Sequence, residues 1–264
     1  DMLGRNRIFT VFDDADQLSL MKSLVKELPR AATVSPREAL TWISRLKQDL
    51  ADPATEKEVR APDPTLDRLW SQYHAALERV SAVDFDDLLV LVARLFMEQP
   101  DVLEKYSTRY HYILIDEYQD TNRAQYVIAR KLCEGHGNLF VVGDEDQAIY
   151  SWRGATLRNM LDFERDFPDT RTFRLERNYR STEPILNAAN AVVAHNTMRL
   201  GKTLWTAEKG GEPIRLVEKP DGEAEAEFVA EDIVRRQIPP SDAAVLFRTN
   251  GQSRLVEEAL RRKG

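Results

Sequence analysis

The sequence predicts an α/β protein whose parallel sheet follows a polar, all-helical stretch. Three observations carry that expectation. Short apolar, β-branched runs bounded by polar residues recur at Tyr112–Ile115, Leu139–Val142 and Thr172–Leu175, the pattern of buried strands. Helical periodicity fills the gaps between them, at Arg123–Glu134 and Leu157–Phe167, and strand–helix–strand alternation argues a parallel sheet with right-handed crossovers. A polar cluster stands directly after each strand, at the sheet edge where α/β folds bind ligands.

Residues 1–80 read as helical. Leu18, Met21, Leu24, Val25 and Leu28 recur at helical spacing over Asp14–Leu28, which Pro29 ends. Ser35-Pro36-Arg37-Glu38 is a capping box with proline at the first helical position, and it opens a helix through Trp42, Ile43, Leu46 and Leu50. Ala51–Pro64 is rich in Pro, Asp and Glu and reads as a loop. Leu66–Val80 is a third helix, with Leu69, Trp70, Tyr73, Ala76, Leu77 and Val80 on one face. These stripes are packing faces and carry no evident chemistry.

The character changes after residue 80. Asp84–Glu98 is strongly apolar and is expected to be sandwiched in a core. Beyond the three strands, a helix runs from Thr182 to about Asn196. Strands at Pro213–Val217 and Ala243–Phe247 then alternate with helices at Glu223–Arg236 and Gln252–Arg262. The organisation is therefore a helical part at 1–80, an α/β part at 81–180 and the beginning of a second α/β part at 181–264.

Composition bounds the function. The chain of 264 residues is 42% hydrophobic and 31% charged, with a net charge of −7. Nucleic-acid contact, if made, must come from local patches, since there is no bulk positive field. One cysteine, Cys133, builds neither an internal disulfide nor a cysteine metal cluster, and it fits a reducing cytoplasm. No apolar run approaches the ~20 residues of a membrane span, and the charged start has no signal-peptide pattern. The opening on Asp1 and the close on Arg-Arg-Lys-Gly read as the ends of a fragment.

The strand-end clusters carry the chemistry. Asp116-Glu117-Tyr118-Gln119-Asp120 follows the first strand, Gly143-Asp144-Glu145-Asp146-Gln147 the second, and Arg177-Asn178-Tyr179-Arg180 the third. In one parallel sheet these ends would converge. Acids, an amide and an arginine suit magnesium–nucleotide chemistry: Mg²⁺ takes oxygen ligands shared with phosphates, a carboxylate orients water, and arginine neutralises a transferring phosphoryl group. Asp120 is expected to cap the following helix, and Asp144, Glu145 and Asp146 to form a solvated turn. None of His74, His111, His136 and His195 is assigned to catalysis.

ILIDEYQDTN, VVGDEDQAIYSWRGA and LERNYRST, in this order and spacing, resemble the UvrD/PcrA/Rep-type superfamily 1 DNA helicases. The likeness extends to FDDLL at 85–89, LWTAEKGGE at 204–212 and VLFRTNGQSRLVEEAL at 245–260, nearly the whole chain. The resemblance implies RecA-like lobes of the phosphate-loop NTPase type. By it, 1–80 is an accessory insertion of the 1B kind, 81–180 the C-terminal part of the first lobe and 181–264 the beginning of the second. It implies that Asp116 holds Mg²⁺ through its water shell and that Glu117 is the general base. Gln147 would contact the γ-phosphate and couple nucleotide to DNA, Arg180 would contact the γ-phosphate, and Tyr179 would stack on adenine. Tyr150, Trp152 and Arg153 would line the single-strand path. The implied cofactors are ATP and Mg²⁺, and the implied partner is single-stranded or 3′-tailed duplex DNA. The implied activity is 3′→5′ translocation in repair or replication restart; protein partners stay unknown.

A motor of this kind needs G-x-x-x-x-G-K-[ST] between a strand and a helix. Gly201-Lys202-Thr203 is the one tempting piece, but Asn196 stands where the first glycine belongs, and a helix precedes it. It reads as a loop. The family's phosphate loop lies upstream and its later motifs downstream, so these residues alone are expected to bind ATP weakly and not to turn it over. Two other readings stand beside the motor: a non-catalytic DNA- or protein-binding module, and part of a helicase–nuclease or Mg²⁺ nuclease.

Overall fold

The computed structural model describes residues 6–29, 34–51 and 64–264, with Arg153 described by its backbone alone. The loop expected at Ala51–Pro64 therefore lies outside the described residues except at its ends. The chain forms two compact units, residues 1–176 with 191–203, and residues 177–190 with 204–264.

In the first unit, strand β1 (Thr10–Val11) leads into helix α1 (Asp14–Lys26). The Asp13 carboxylate accepts from the Ala15 and Asp16 amides, and Asp16 accepts from the Asp13 amide in return, closing a capping box. Helix α2 (Pro36–Gln48) opens where Ser35 Oγ accepts from the Glu38 amide. With α3 (Pro64–Arg79), these helices bury Met21, Leu24, Ile43, Leu69, Tyr73 and Leu77 in one core. The apolar stripes read from the sequence are packing faces, as expected, except at Val80, which lies beyond the end of α3 and is exposed. A short parallel pairing of β1 with β2 (Ala82–Val83) ties the ends of this layer together.

Helix α4 (Phe85–Glu98) is pinned at its start by a buried polar knot. Lys47 of α2 places Nζ 2.6 Å from Asp84 Oδ2 and 2.8 Å from Asp87 Oδ1. The Tyr73 hydroxyl donates to the same Asp84 oxygen at 3.0 Å, and Asp84 and Asp87 cap α4 reciprocally. Only one face of α4 is covered, through Val90, Ala93 and Phe96; Phe85, Leu88, Val92 and Met97 are exposed. The sandwiched helix expected from its apolar composition is thus half-covered. A helix that sequence periodicity did not show, α5 (Pro100–Arg109), follows with proline at its first position.

Strand β3 (Ile113–Ile115), helix α6 (Arg123–Cys133) and strand β4 (Leu139–Val141) form the expected crossover unit. β3 and β4 are parallel, with Ile113 opposite Leu139 and Ile115 opposite Val141. Alternation along the strands turns Ile115 and Val141 toward a core of Ala93, Tyr118, Tyr126 and Val127, while Leu114 and Phe140 face outward. Cys133 is buried at the end of α6. The helix expected at Leu157–Phe167 is split into α7 (Arg158–Leu161) and α8 (Phe163–Asp166). The break falls at Asp162, whose φ of −88° and ψ of 0° leave the regular helical well.

The second unit pairs β5 (Arg177–Asn178) in parallel with β6 (Trp205–Thr206). Helix α9 (Glu183–Val193) follows, most of it in this unit. Helices α10 (Gly222–Arg235) and α11 (Asn250–Lys263) pack through Ala226, Ala230 and Ala259, with Leu255, Val256 and Leu260 beside them. The strands expected at Thr172–Leu175, Pro213–Val217 and Ala243–Phe247 carry no sheet pairing among the described residues. Phe173, Leu175, Leu216 and Leu246 are exposed there. Strand propensity reflects packing against neighbours more than an intrinsic backbone preference, and these runs have no adjacent strand among the described residues to supply it.

Candidate functional site

The parallel register of β3 and β4 brings the first two polar clusters to one edge. The Val142 amide donates to Ile115 O at 2.8 Å, and the Tyr118 amide to Val142 O at 2.9 Å, so the chain leaves both strands side by side. Glu117 then sits at φ +49°, ψ +44°. A non-glycine residue in the left-handed region is uncommon and concentrates at functional sites. This turn exposes the side chains of Asp116 and Glu117, and the Glu117 amide donates to Asp116 Oδ1 at 2.9 Å.

Gln119 joins the two clusters, and the sequence reading assigned it no role. Its side chain is buried. Its Nε2 donates to Glu117 Oε2 at 2.8 Å, while its Oε1 accepts from the Asp144 amide at 2.9 Å. Gly143 permits this approach: a Cβ there would lie 2.9 Å from Gln119 Oε1. Asp144 in turn caps a short turn, Glu145–Gln147, accepting from the Asp146 amide at Oδ1 and from Gln147 Nε2 at Oδ2, 2.8 Å away. Glu117, Gln119, Asp144 and Gln147 are one continuous hydrogen-bonded chain. The signal that could have found Gln119 is its position two residues after Glu117, on a turn that folds back along the sheet edge.

Two expectations about the acids are corrected. Asn122, not Asp120, caps α6: Asn122 Oδ1 accepts from the Gln125 amide and Gln125 Oε1 from the Asn122 amide, each at 3.0 Å. Asp120 Oδ1 is buried without a hydrogen-bond partner, and burial followed by the nearby Glu117 charge pushes its carboxyl above the usual range. The second cluster is not a solvated turn either. Lys202 Nζ contacts Asp144 Oδ1 and lies 2.9 Å from Glu145 Oε2, and Arg199 forms a two-pronged pair with Asp146. Burial alone would raise the Asp144 carboxyl, but hydrogen bonds from Lys202 and Gln147 outweigh it and hold the group below its ordinary value.

Tyr150 and Trp152 follow on the next turn, their rings 6.3 Å apart, and both are exposed. The side chain of Arg153 lies outside the described residues. Gly154, at φ +81°, closes this turn against Gln48 of α2.

The third cluster belongs to the second unit. Asn178 Oδ1 accepts from the Arg180 and Ser181 amides at 3.0 and 2.7 Å, which fixes the turn carrying Arg180. Tyr179 is 76% exposed. The Arg177 guanidinium lies 4.6 Å from the Tyr179 ring and 5.4 Å from the Trp205 ring.

No three metal-ligating side chains converge among the described residues. The donor set still fits Mg²⁺, which is bound by one or two carboxylates plus substrate phosphates rather than by an all-protein cage; Asp116 offers such an exposed carboxylate. Gly201-Lys202-Thr203 lies in an irregular segment after α9 with Lys202 committed to acids, which agrees with its reading as a loop. No helix among the described residues is long and apolar enough to cross a membrane.

Comparison with known proteins matches the same stretches. Residues 1–168 match the family model described as the UvrD/REP helicase N-terminal domain, and residues 173–264 match the UvrD-like helicase C-terminal domain. The chain is 44% identical over 265 aligned residues to the ATP-dependent DNA helicase PcrA of Staphylococcus aureus. It is 43% identical over 264 to that of Staphylococcus epidermidis. Each alignment covers 98% of this chain and 36% of the relative, so the chain spans about a third of their length. The first of these models alone covers more than half of the chain, and the chain belongs to the UvrD/REP helicase family.

Proposed function

We propose that this chain is the portion of an ATP-dependent DNA helicase that supplies the water-activating and sensing half of its nucleotide site. The observation that carries the proposal is the Gln119 bridge, which links Glu117 to the Asp144–Gln147 turn through hydrogen bonds of 2.8 and 2.9 Å. A nuclease has no need to wire a carboxylate to a glutamine-bearing turn; a motor that must report nucleotide state does. On this reading 1–80 is the accessory helical part, 81–180 the remainder of a first RecA-like lobe, and 181–264 the start of a second.

Asp116 would hold Mg²⁺, which would supply neutralisation of phosphate charge. Glu117 takes the proton of the attacking water. Gln147 leaves Asp144 to meet the γ-phosphate. By the family resemblance, Arg180 would neutralise phosphate charge and Tyr179 would offer its exposed ring to adenine. Tyr150, Trp152 and Arg153 line the single strand, where exposed aromatics stack bases without regard to sequence. Movement is 3′→5′, in a cytoplasmic repair or restart role. The 264 residues alone hold ATP weakly and do not hydrolyse it.

Labelled single-stranded DNA titrated into the chain, with and without ATP, tests the strand path. Trp152→Ala is expected to weaken binding by about 1–3 kcal/mol, the worth of one stacked base. Unchanged affinity in that variant removes Trp152 from the path. Binding by the full-length protein that carries this chain, with no effect of nucleotide, is the behaviour of a non-catalytic module and contradicts the motor.

A further inference from the structure

We infer that Arg199 and Lys202 are positioning residues for the glutamine-bearing turn, clamping it from a segment to which sequence reading gave no role; the inference rests on the helicase reading only in its functional half. Three successive acids, Asp144, Glu145 and Asp146, each meet a cation or an amide from Asn196–Lys202. Arg199 Nε and Nη2 lie 2.9 and 2.8 Å from the two Asp146 oxygens, and Asn196 Nδ2 donates to Asp146 Oδ1 at 3.0 Å. The Leu200 amide donates to Glu145 Oε1 at 3.2 Å, and Lys202 bridges Glu145 Oε2 and Asp144 Oδ1. The segment is itself braced, since Arg199 Nη2 donates to Lys202 O and Arg174 to Leu200 O, both at 3.1 Å.

The geometry is selective. Lys202 and Gln147 take different oxygens of one carboxylate, Asp144. The same residue receives the Gln119 bridge at its amide. Lys202 thus fixes the group on which Gln147 rests, without touching Gln147 or the Asp116-Glu117 pair. Glu145 is 6% exposed, and a buried carboxylate without a cation is costly, so the turn depends on the clamp. Two-pronged arginine–carboxylate pairing adds orientation to the attraction. The clamping segment lies within residues 191–203, the stretch that belongs to the same unit as the glutamine-bearing turn.

The test has two arms. In the 264-residue chain, amide hydrogen exchange at Asp146 and Gln147 is compared among the unaltered chain, Lys202→Gln, Arg199→Gln and Lys202→Arg. Losing a charge-assisted bond is expected to speed exchange there about tenfold or more in the two Gln variants, with Val127 and Ile128 of α6 unchanged and Lys202→Arg restoring protection. Unchanged exchange at the turn, or an equal rise in α6, overturns the clamp. In the full-length protein, Lys202→Gln is expected to lower kcat for DNA-stimulated ATP hydrolysis about 10- to 100-fold, the cost of a misplaced group, with KM for ATP held and Lys202→Arg restoring kcat. An unchanged kcat alongside faster exchange overturns the positioning role. An unaltered full-length protein without DNA-stimulated hydrolysis sinks the helicase reading instead, and the exchange arm still decides the clamp.

Discussion

Glu117 is held in the left-handed backbone region, and its carboxylate is tied by a buried amide to a second loop. The acidic pair was visible in the sequence because two acids ending an apolar run have no packing purpose. Gln119 was not visible, because its role depends on two strands being in register. Gly143 is the residue that makes room for it. Gly143→Ala would place a methyl 2.9 Å from Gln119 Oε1 and 3.4 Å from Met160 Sδ. With Gln119 buried and unable to retreat, overpacking of about 1–3 kcal/mol is expected, measured as a fall in urea midpoint. A midpoint equal to that of the unaltered chain contradicts the close approach.

Among the elements, most helices were legible, α5 and the break between α7 and α8 excepted, and most of the strands were not. Helices α1, α2, α3, α6, α10 and α11 each carry their own apolar stripe, and several carry their own cap, so local sequence suffices to place them. Strands β3 and β4 were legible as short apolar runs bounded by polar residues, and each has the other to pair with. Phe173, Leu216 and Leu246 sit in runs just as apolar but remain exposed, since pairing depends on a neighbour that a single run cannot specify. The Lys47 knot shows the same limit: nothing in its helix marks Lys47 as buried, yet it is 3% exposed between Asp84 and Asp87. Lys47→Ala leaves two buried carboxylates without their cation and is expected to cost about 3–5 kcal/mol. Chemical denaturation measures it, and a loss below about 1 kcal/mol, the range of exposed pairs, contradicts the buried network.

At the scale of the whole molecule, net negative charge coexists with local cation clamps, and pH separates the two. Asp144 titrates below its usual value in the folded chain. Its contribution is therefore present above the unfolded carboxylate pKa, about 4, and is lost as pH falls through the depressed folded value. Lys202 has the opposite sign: burial lowers its pKa, but its bonds to Asp144 and Glu145 raise it further, so its contribution is lost only as pH rises through that raised value. The ratio of Gln147 amide exchange in Lys202→Gln to that in the unaltered chain cancels intrinsic rates. It is expected to stay constant from about pH 5 to pH 8 and to fall toward one in more acid solution. A ratio that does not change on acidification contradicts the pairing.

The division into two units likewise limited what motifs could foretell. Asp116, Glu117 and Gln147 lie in one unit and Tyr179 and Arg180 in the other, although the sequence pattern placed all three clusters on one sheet. The water-activating role proposed for Glu117 is tested by Glu117→Gln in the full-length protein. DNA-stimulated hydrolysis is expected to fall about 10²–10⁴-fold, the usual worth of a general base, while ATP affinity is retained. Hydrolysis at the unaltered rate would remove Glu117 from that role.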